Sequence, residues 1–141
     1  MAIPNVEVSF LPILIATLIS MAIGMYWYSP SLFGRLWIRL SEIKISKINK
    51  EKKKGMALTY IIAFAAALIT SYVIANFIKY TTAEGFAEGA RVGFWLWLGI
   101  VAPTTLGVVL WEGKPFKLWL LNNSYNLLSL IVIGGILAVW G

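Results

Sequence analysis

Residues 56–78 read MALTYIIAFAAALITSYVIANFI, a stretch without one charged side chain. A hydrocarbon core ~30 Å thick is crossed by about 20 mostly apolar helical residues. This segment is therefore expected to span a membrane. Three more stretches pass the same test: residues 9–28, 91–111 and 118–140, none with a charge in its middle. The chain as a whole agrees. Of its 141 residues 60% are hydrophobic and 13% charged, and mean hydropathy is +0.81. A soluble domain averages roughly 45–50% apolar and about 25% charged, and a short chain buries the smallest share of its surface. The expected fold class is all-α: an integral membrane four-helix bundle in a single domain, residues 1–141, with an interfacial amphipathic helix after the first span.

Orientation follows from the basic residues. Arg35, Arg39, Lys44, Lys47, Lys50, Lys52, Lys53 and Lys54 lie between spans one and two, and Lys114 and Lys117 between spans three and four. Lys79 and Arg91 stand alone on the other side, beside Glu84 and Glu88. Lys and Arg in short loops mark the cytoplasmic side. Loops one and three are thus expected in the cytoplasm of a cell-membrane protein, with both termini outside. No Lys or Arg precedes span one and no small-residue cleavage site follows it, so it reads as retained rather than as a signal peptide.

The connecting segments carry local signals. Ser29-Pro30-Ser31 has the chemistry of a helix start, Ser29 capping and Pro30 in the first turn. Beyond it Leu32, Phe33, Leu36, Trp37 and Leu40 share one helical face, opposite Arg35 and Arg39. Such a helix lies flat among lipid headgroups. The interfacial basic segment, residues 30–54, places Arg35, Arg39, Lys52, Lys53 and Lys54 against anionic headgroups, each contact worth around 1 kcal/mol. It has no nucleic-acid-binding module, so membrane lipid is the expected partner. Thr81 and Glu84 have capping-box spacing, which would start the third helix near Thr82. Pro103 should kink that helix, with Thr104 or Thr105 taking up a freed backbone group.

Two constellations stand out within the spans. Small residues recur every four positions: Ala16, Ser20 and Gly24; Ala63, Ala67, Ser71 and Ala75; Gly85, Gly89 and Gly93; Gly134 and Ala138. Helices in lipid associate by close packing at such stripes, either within one chain or between subunits of an oligomer. The second is the polar face of span four: Asn122, Asn123, Asn126 and Ser129. As interhelical glue each contributes about 0.6 kcal/mol on average. As a site the same face could line a small vestibule or meet a headgroup. Trp27, Tyr28, Trp37, Trp111, Trp119 and Trp140 fall near the expected interfaces, as an aromatic belt requires.

Catalytic material is scarce. His, Cys and Asp are absent, which removes thiolate nucleophiles, Ser-His-Asp triads and the usual His/Cys metal sites. All six acids, Glu7, Glu42, Glu51, Glu84, Glu88 and Glu112, lie in tails, loops or helix ends. No enzymatic activity, metal or cofactor is expected; an enzyme would have to use Glu84, Glu88 or Glu112. No intramembrane carboxylate is present for a proton relay.

The run at 25–37, MYWYSPSLFGRLW, resembles the WYSPxLFGxxW signature of the domain-of-unknown-function family 1761, short bacterial and archaeal membrane proteins. Residues 94–103, FWLWLGIVAP, are similar to that family's third span, and 112–118, EGKPFKL, to its turn into the last helix. The resemblance covers nearly the whole chain and implies a four-span, one-domain fold, without any activity. The long Lys-rich first loop departs from it. The expected role is a structural or accessory subunit of a homo-oligomer or a larger membrane complex. The alternative is a small channel or carrier for a neutral or cationic solute along the polar face of span four. Because the chain has no cysteine, topology has a clean test. Glu84→Cys should react with an impermeant maleimide on intact cells, and Lys52→Cys only after permeabilisation; the reverse pattern would invert the orientation.

Overall fold

The computed structural model describes residues 8–41 and 45–140, with side chains described at 8–40 and 57–140. Among the described residues every regular element is helical. Helix α1 is Phe10–Trp27, α2 Gly34–Ser41, α3 Ile45–Tyr80 and α4 Gly85–Leu96. A wide turn at Trp97–Val101 leads into α5, Ala102–Thr105, and α6, Gly107–Leu110. Helix α7 is Phe116–Trp140. Four segments are long and apolar enough to cross a membrane: Phe10–Trp27, Ala57–Tyr80, Gly85–Leu110 and Phe116–Trp140.

The segment after α1 differs from expectation. Ser29 Oγ donates back to the Tyr26 carbonyl at 2.7 Å instead of capping forward. The Ser29 carbonyl then accepts the Leu32 and Gly34 amides at 3.0 and 2.9 Å. The chain turns tightly through 28–33, and the amphipathic helix starts only at Gly34. A side chain at Gly34 would overlap the Tyr28 and Ser29 carbonyls, so glycine is the residue this turn accepts. Arg35 and Arg39 are exposed, while Leu36, Trp37 and Leu40 are half-buried. The basic run also differs: its backbone from Ile45 onward is helical and continuous with the second span.

The Thr81–Glu84 capping box does not form. Thr81 Oγ1 donates to the Phe77 carbonyl at 2.8 Å, closing the end of α3. Thr82 takes a left-handed φ of 53°, which ends the helix and turns the chain. Glu84 occupies the N-cap position of α4, and the Glu88 carboxylate accepts its amide at 2.6 Å. The third helical segment thus begins at Gly85, several residues before the apolar stretch read from composition.

Pro103 lacks an amide hydrogen, and the ladder adjusts before it. The Ala102 amide bonds the Trp97 carbonyl, five residues back. A π-turn of this kind is a recognised way to absorb a disrupted ladder. Thr104 and Thr105 hydroxyls bond the Ile100 and Val101 carbonyls at 2.5 and 2.7 Å.

Helix α7 is the hub, touching α1, α3 and the third segment. The core consists of Ile13 and Ala16 of α1, Ile74, Ala75 and Ile78 of α3, and Leu130, Ile133 and Leu137 of α7. Large apolar residues elsewhere face outward, among them Leu58, Ile61 and Ile69 of α3, as lipid-facing surface requires. The α4–α7 contact is the closest. A Cβ on Gly89 would overlap the Gly134 carbonyl, one on Gly93 the Leu130 carbonyl, and one on Gly134 the Gly89 carbonyl. Backbone meets backbone there, which only glycine permits. Gly89→Leu or Gly134→Leu should therefore cost at least about 1–3 kcal/mol of stability in detergent unfolding. Gly99→Ala, with no neighbour within 4 Å of its Cβ, should change little. Equal effects at Gly89 and Gly99 would contradict the seam.

Candidate functional site

The side chains of α7 were the expected polar face, and each occupies a different environment. Asn122 Oδ1 accepts the Tyr28 hydroxyl at 2.7 Å. Asn123 is buried; its Nδ2 donates to the Trp119 carbonyl at 3.0 Å, and its Oδ1 meets the Thr105 hydroxyl at 2.9 Å. Trp119 Nε1 donates to the same hydroxyl at 3.2 Å. Ser129 shares a 2.5 Å hydrogen bond with Ser20 of α1. Asn126 alone of the four has no hydrogen-bond partner among the described residues.

Other polar groups extend this pattern. Tyr125 Oη donates to the Ser20 carbonyl at 3.0 Å. Its ring packs edge-on to Tyr28, centroids 5.6 Å apart, and lies 6.4 Å from Trp27. The ring fits because Gly24 has no side chain; a Cβ there would lie 2.7 Å from the Tyr125 oxygen. Trp27 Nε1 donates to the Leu121 carbonyl at 3.3 Å. Deeper still, Thr17 Oγ1 bonds the Ile13 carbonyl at 2.7 Å and shares a 3.0 Å hydrogen bond with Ser71 of α3, both residues 0% exposed. Hydroxyls and amides thus join α7 to α1 and to the third segment, and α1 to α3. Well inside the apolar segments, as at Ser20–Ser129 and Thr17–Ser71, such a bond satisfies groups that have no water to turn to in lipid.

A cavity of about 370 Å³ lies beside this network. Ala63, Ala66, Ala67 and Thr70 of α3 and Val101 of the third segment line it. Ser20, Tyr125, Asn126, Ser129, Leu130 and Ile133 complete its lining, which holds no charged residue.

The small-residue stripes divide by place. Ser71 and Ala75 are buried between helices, while Ala63 and Ala67 border the cavity. Gly89 and Gly93 lie in the α4–α7 seam; Gly85 instead takes a positive φ of 81° at the start of α4, with nothing within 4 Å of its Cβ. Among the headgroup candidates Arg35 and Arg39 are exposed; Lys52, Lys53 and Lys54 lie outside the residues whose side chains are described. Glu84, Glu88 and Glu112 are exposed as well. Trp97 Nε1 is buried without a partner among the described residues.

The sequence singles out Ser71 for helix packing, Thr105 for a freed backbone group and Trp27, Tyr28 and Trp119 for an aromatic belt. It marks none of them as a partner of another helix's polar side chain or carbonyl, and Thr17 not at all. Gly24, one turn beyond Ser20, is the sequence signal that could have placed a large ring from another helix against α1.

The network's energetics are testable by a double-mutant cycle on Tyr28→Phe and Asn122→Leu. The expected coupling is about 0.6 kcal/mol, with ~1.7 kcal/mol the largest value seen for such pairs in a membrane protein; zero coupling would contradict the bond.

The profile of a family described as "Protein of unknown function (DUF1761)" matches residues 11–138 of this chain. No curated protein and no solved structure matches it.

Proposed function

The chain belongs to this family of proteins of unknown function, and from that premise we propose that it is a non-catalytic multi-pass membrane protein acting as a structural or accessory subunit, in a homo-oligomer or within a larger membrane complex. One observation carries the reading: the polar side chains of α7 at 122, 123 and 129 each bond another residue of the same chain. A conduction path would need those groups free to replace a solute's water, and here they hold helices together. Supporting this, the acids that could serve chemistry are exposed, whereas general acid–base work needs a carboxyl in a shaped, partly dry pocket.

In this reading the basic side faces the cytoplasm, with Arg35, Arg39 and the lysines at 52–54 against anionic lipid, and both termini lie outside. Exposure of Arg35 and Arg39 opposite half-buried Leu36 and Trp37 suits a helix lying on a headgroup layer. A carrier for a small neutral or cationic solute is the second reading, favoured by the unpartnered Asn126 beside the cavity.

Reconstituted into liposomes, the protein should give no flux of potassium or glycerol above protein-free vesicles. Gently extracted, it should appear in native mass spectrometry above the 15.7 kDa of one chain, as a multiple or with other polypeptides. Flux that falls in Asn122→Leu and Asn126→Leu would establish the carrier instead. A lone chain would contradict the subunit.

A further inference from the structure

The cavity between α3 and the third segment has an unusual combination of depth and chemistry. Its lining residues Ser20, Ala66, Val101 and Ser129 fall well inside the four apolar spans. Ala63, Ala66 and Thr70 on its rim are exposed, so its mouth opens toward the hydrocarbon and not toward an aqueous face. A molecule entering there must be lipid-soluble.

The lining also constrains what enters. It has no charged side chain, and an ion brought to this depth without a counter-charge is strongly disfavoured. The occupant is therefore neutral. Its floor is not apolar, however. Asn126 brings two amide hydrogens and a carbonyl oxygen with no partner among the described residues. The Ser20 and Ser129 hydroxyls share one hydrogen bond, which uses one of their two hydrogens. Tyr125 and Thr70 give their hydrogens to the Ser20 and Ala66 carbonyls. Three hydrogens are left facing a space of about 370 Å³, within the ~300–1,000 Å³ of small-molecule sites. An unpaired donor at hydrocarbon depth costs free energy until an acceptor arrives, and a carbonyl oxygen is an acceptor that a lipid-soluble molecule can bring.

We infer that this cavity is a binding site for a neutral, lipid-soluble carbonyl compound of the chemical kind of a quinone, its oxygen held by the Asn126 amide and the Ser20–Ser129 hydroxyl pair. Ala63, Ala67 and Val101 line the cavity with short side chains, and in this assignment a hydrocarbon tail leaves through the mouth into the bilayer. The site goes beyond the subunit role and does not depend on it.

Thermal unfolding of the detergent-purified full chain, followed by circular dichroism, provides the test, with decyl-ubiquinone as the probe and dodecane as the apolar control. Decyl-ubiquinone should raise the midpoint saturably, and dodecane should not. Asn126→Leu should weaken the apparent affinity about tenfold, the loss expected when hydrogen bonds to one carbonyl are removed. Ala67→Leu, which fills the wall while keeping every polar group, should abolish the shift; it also serves if Asn126→Leu does not fold. No saturable rise with the wild-type chain, an equal rise with dodecane, or an affinity unchanged in Ala67→Leu would each overturn the proposal.

Discussion

In hydrocarbon a hydroxyl or amide has no water to fall back on, so it must find its partner within the protein. The architecture follows from how α7 meets that demand. Its polar residues point in several directions around one helix: Asn122 toward Tyr28 at the end of α1, Asn123 toward Thr105 in the third segment, Ser129 toward Ser20 in the middle of α1. No single neighbour could satisfy all of them. The helix is therefore surrounded, and it carries the largest buried share of the four apolar segments, 39% against 11% for the third.

Close packing does the rest. Association in lipid gains little from bringing apolar faces together, so small residues that let backbones touch take over. Gly89 and Gly93 against Gly134 and Leu130 are the clearest case. The same small-residue logic leaves a gap elsewhere. On α3 the stripe from Ala75 to Ser71 is packed, but its continuation through Ala67 and Ala63 borders open space. A helix that is tied down at one end and stands off at the other produces a lateral cavity whose floor is the polar network itself.

The spans were legible because a charge-free apolar run of this length belongs in hydrocarbon, and the polar face of α7 was legible because its residues interrupt such a run. Helix starts were less so. Ser29 and Thr81 have the side chains of N-caps, yet both hydroxyls turn back to carbonyls of the preceding helix. A serine or threonine between two helices can serve either one, and the choice is made by the turn. The lysine run read as a loop because its charges forbid a span; a helix can nevertheless continue past the membrane surface, as α3 does. Partner identity in the site was hidden for a different reason. Tyr28 and Asn122, or Ser20 and Ser129, are joined only by the way helices far apart in the chain come to pack.

Polar residues of α7 thus bind helices of their own chain at membrane depth, and the absence of cysteine makes this directly measurable. Ser20→Cys is combined with Ser129→Cys and oxidised with iodine in native membranes. The Oγ atoms these thiols replace are 2.5 Å apart. Maleimide labelling should be almost completely lost and restored by reductant, with the protein still migrating as one chain. Disulfide-linked dimers, or two thiols that remain free, would contradict it.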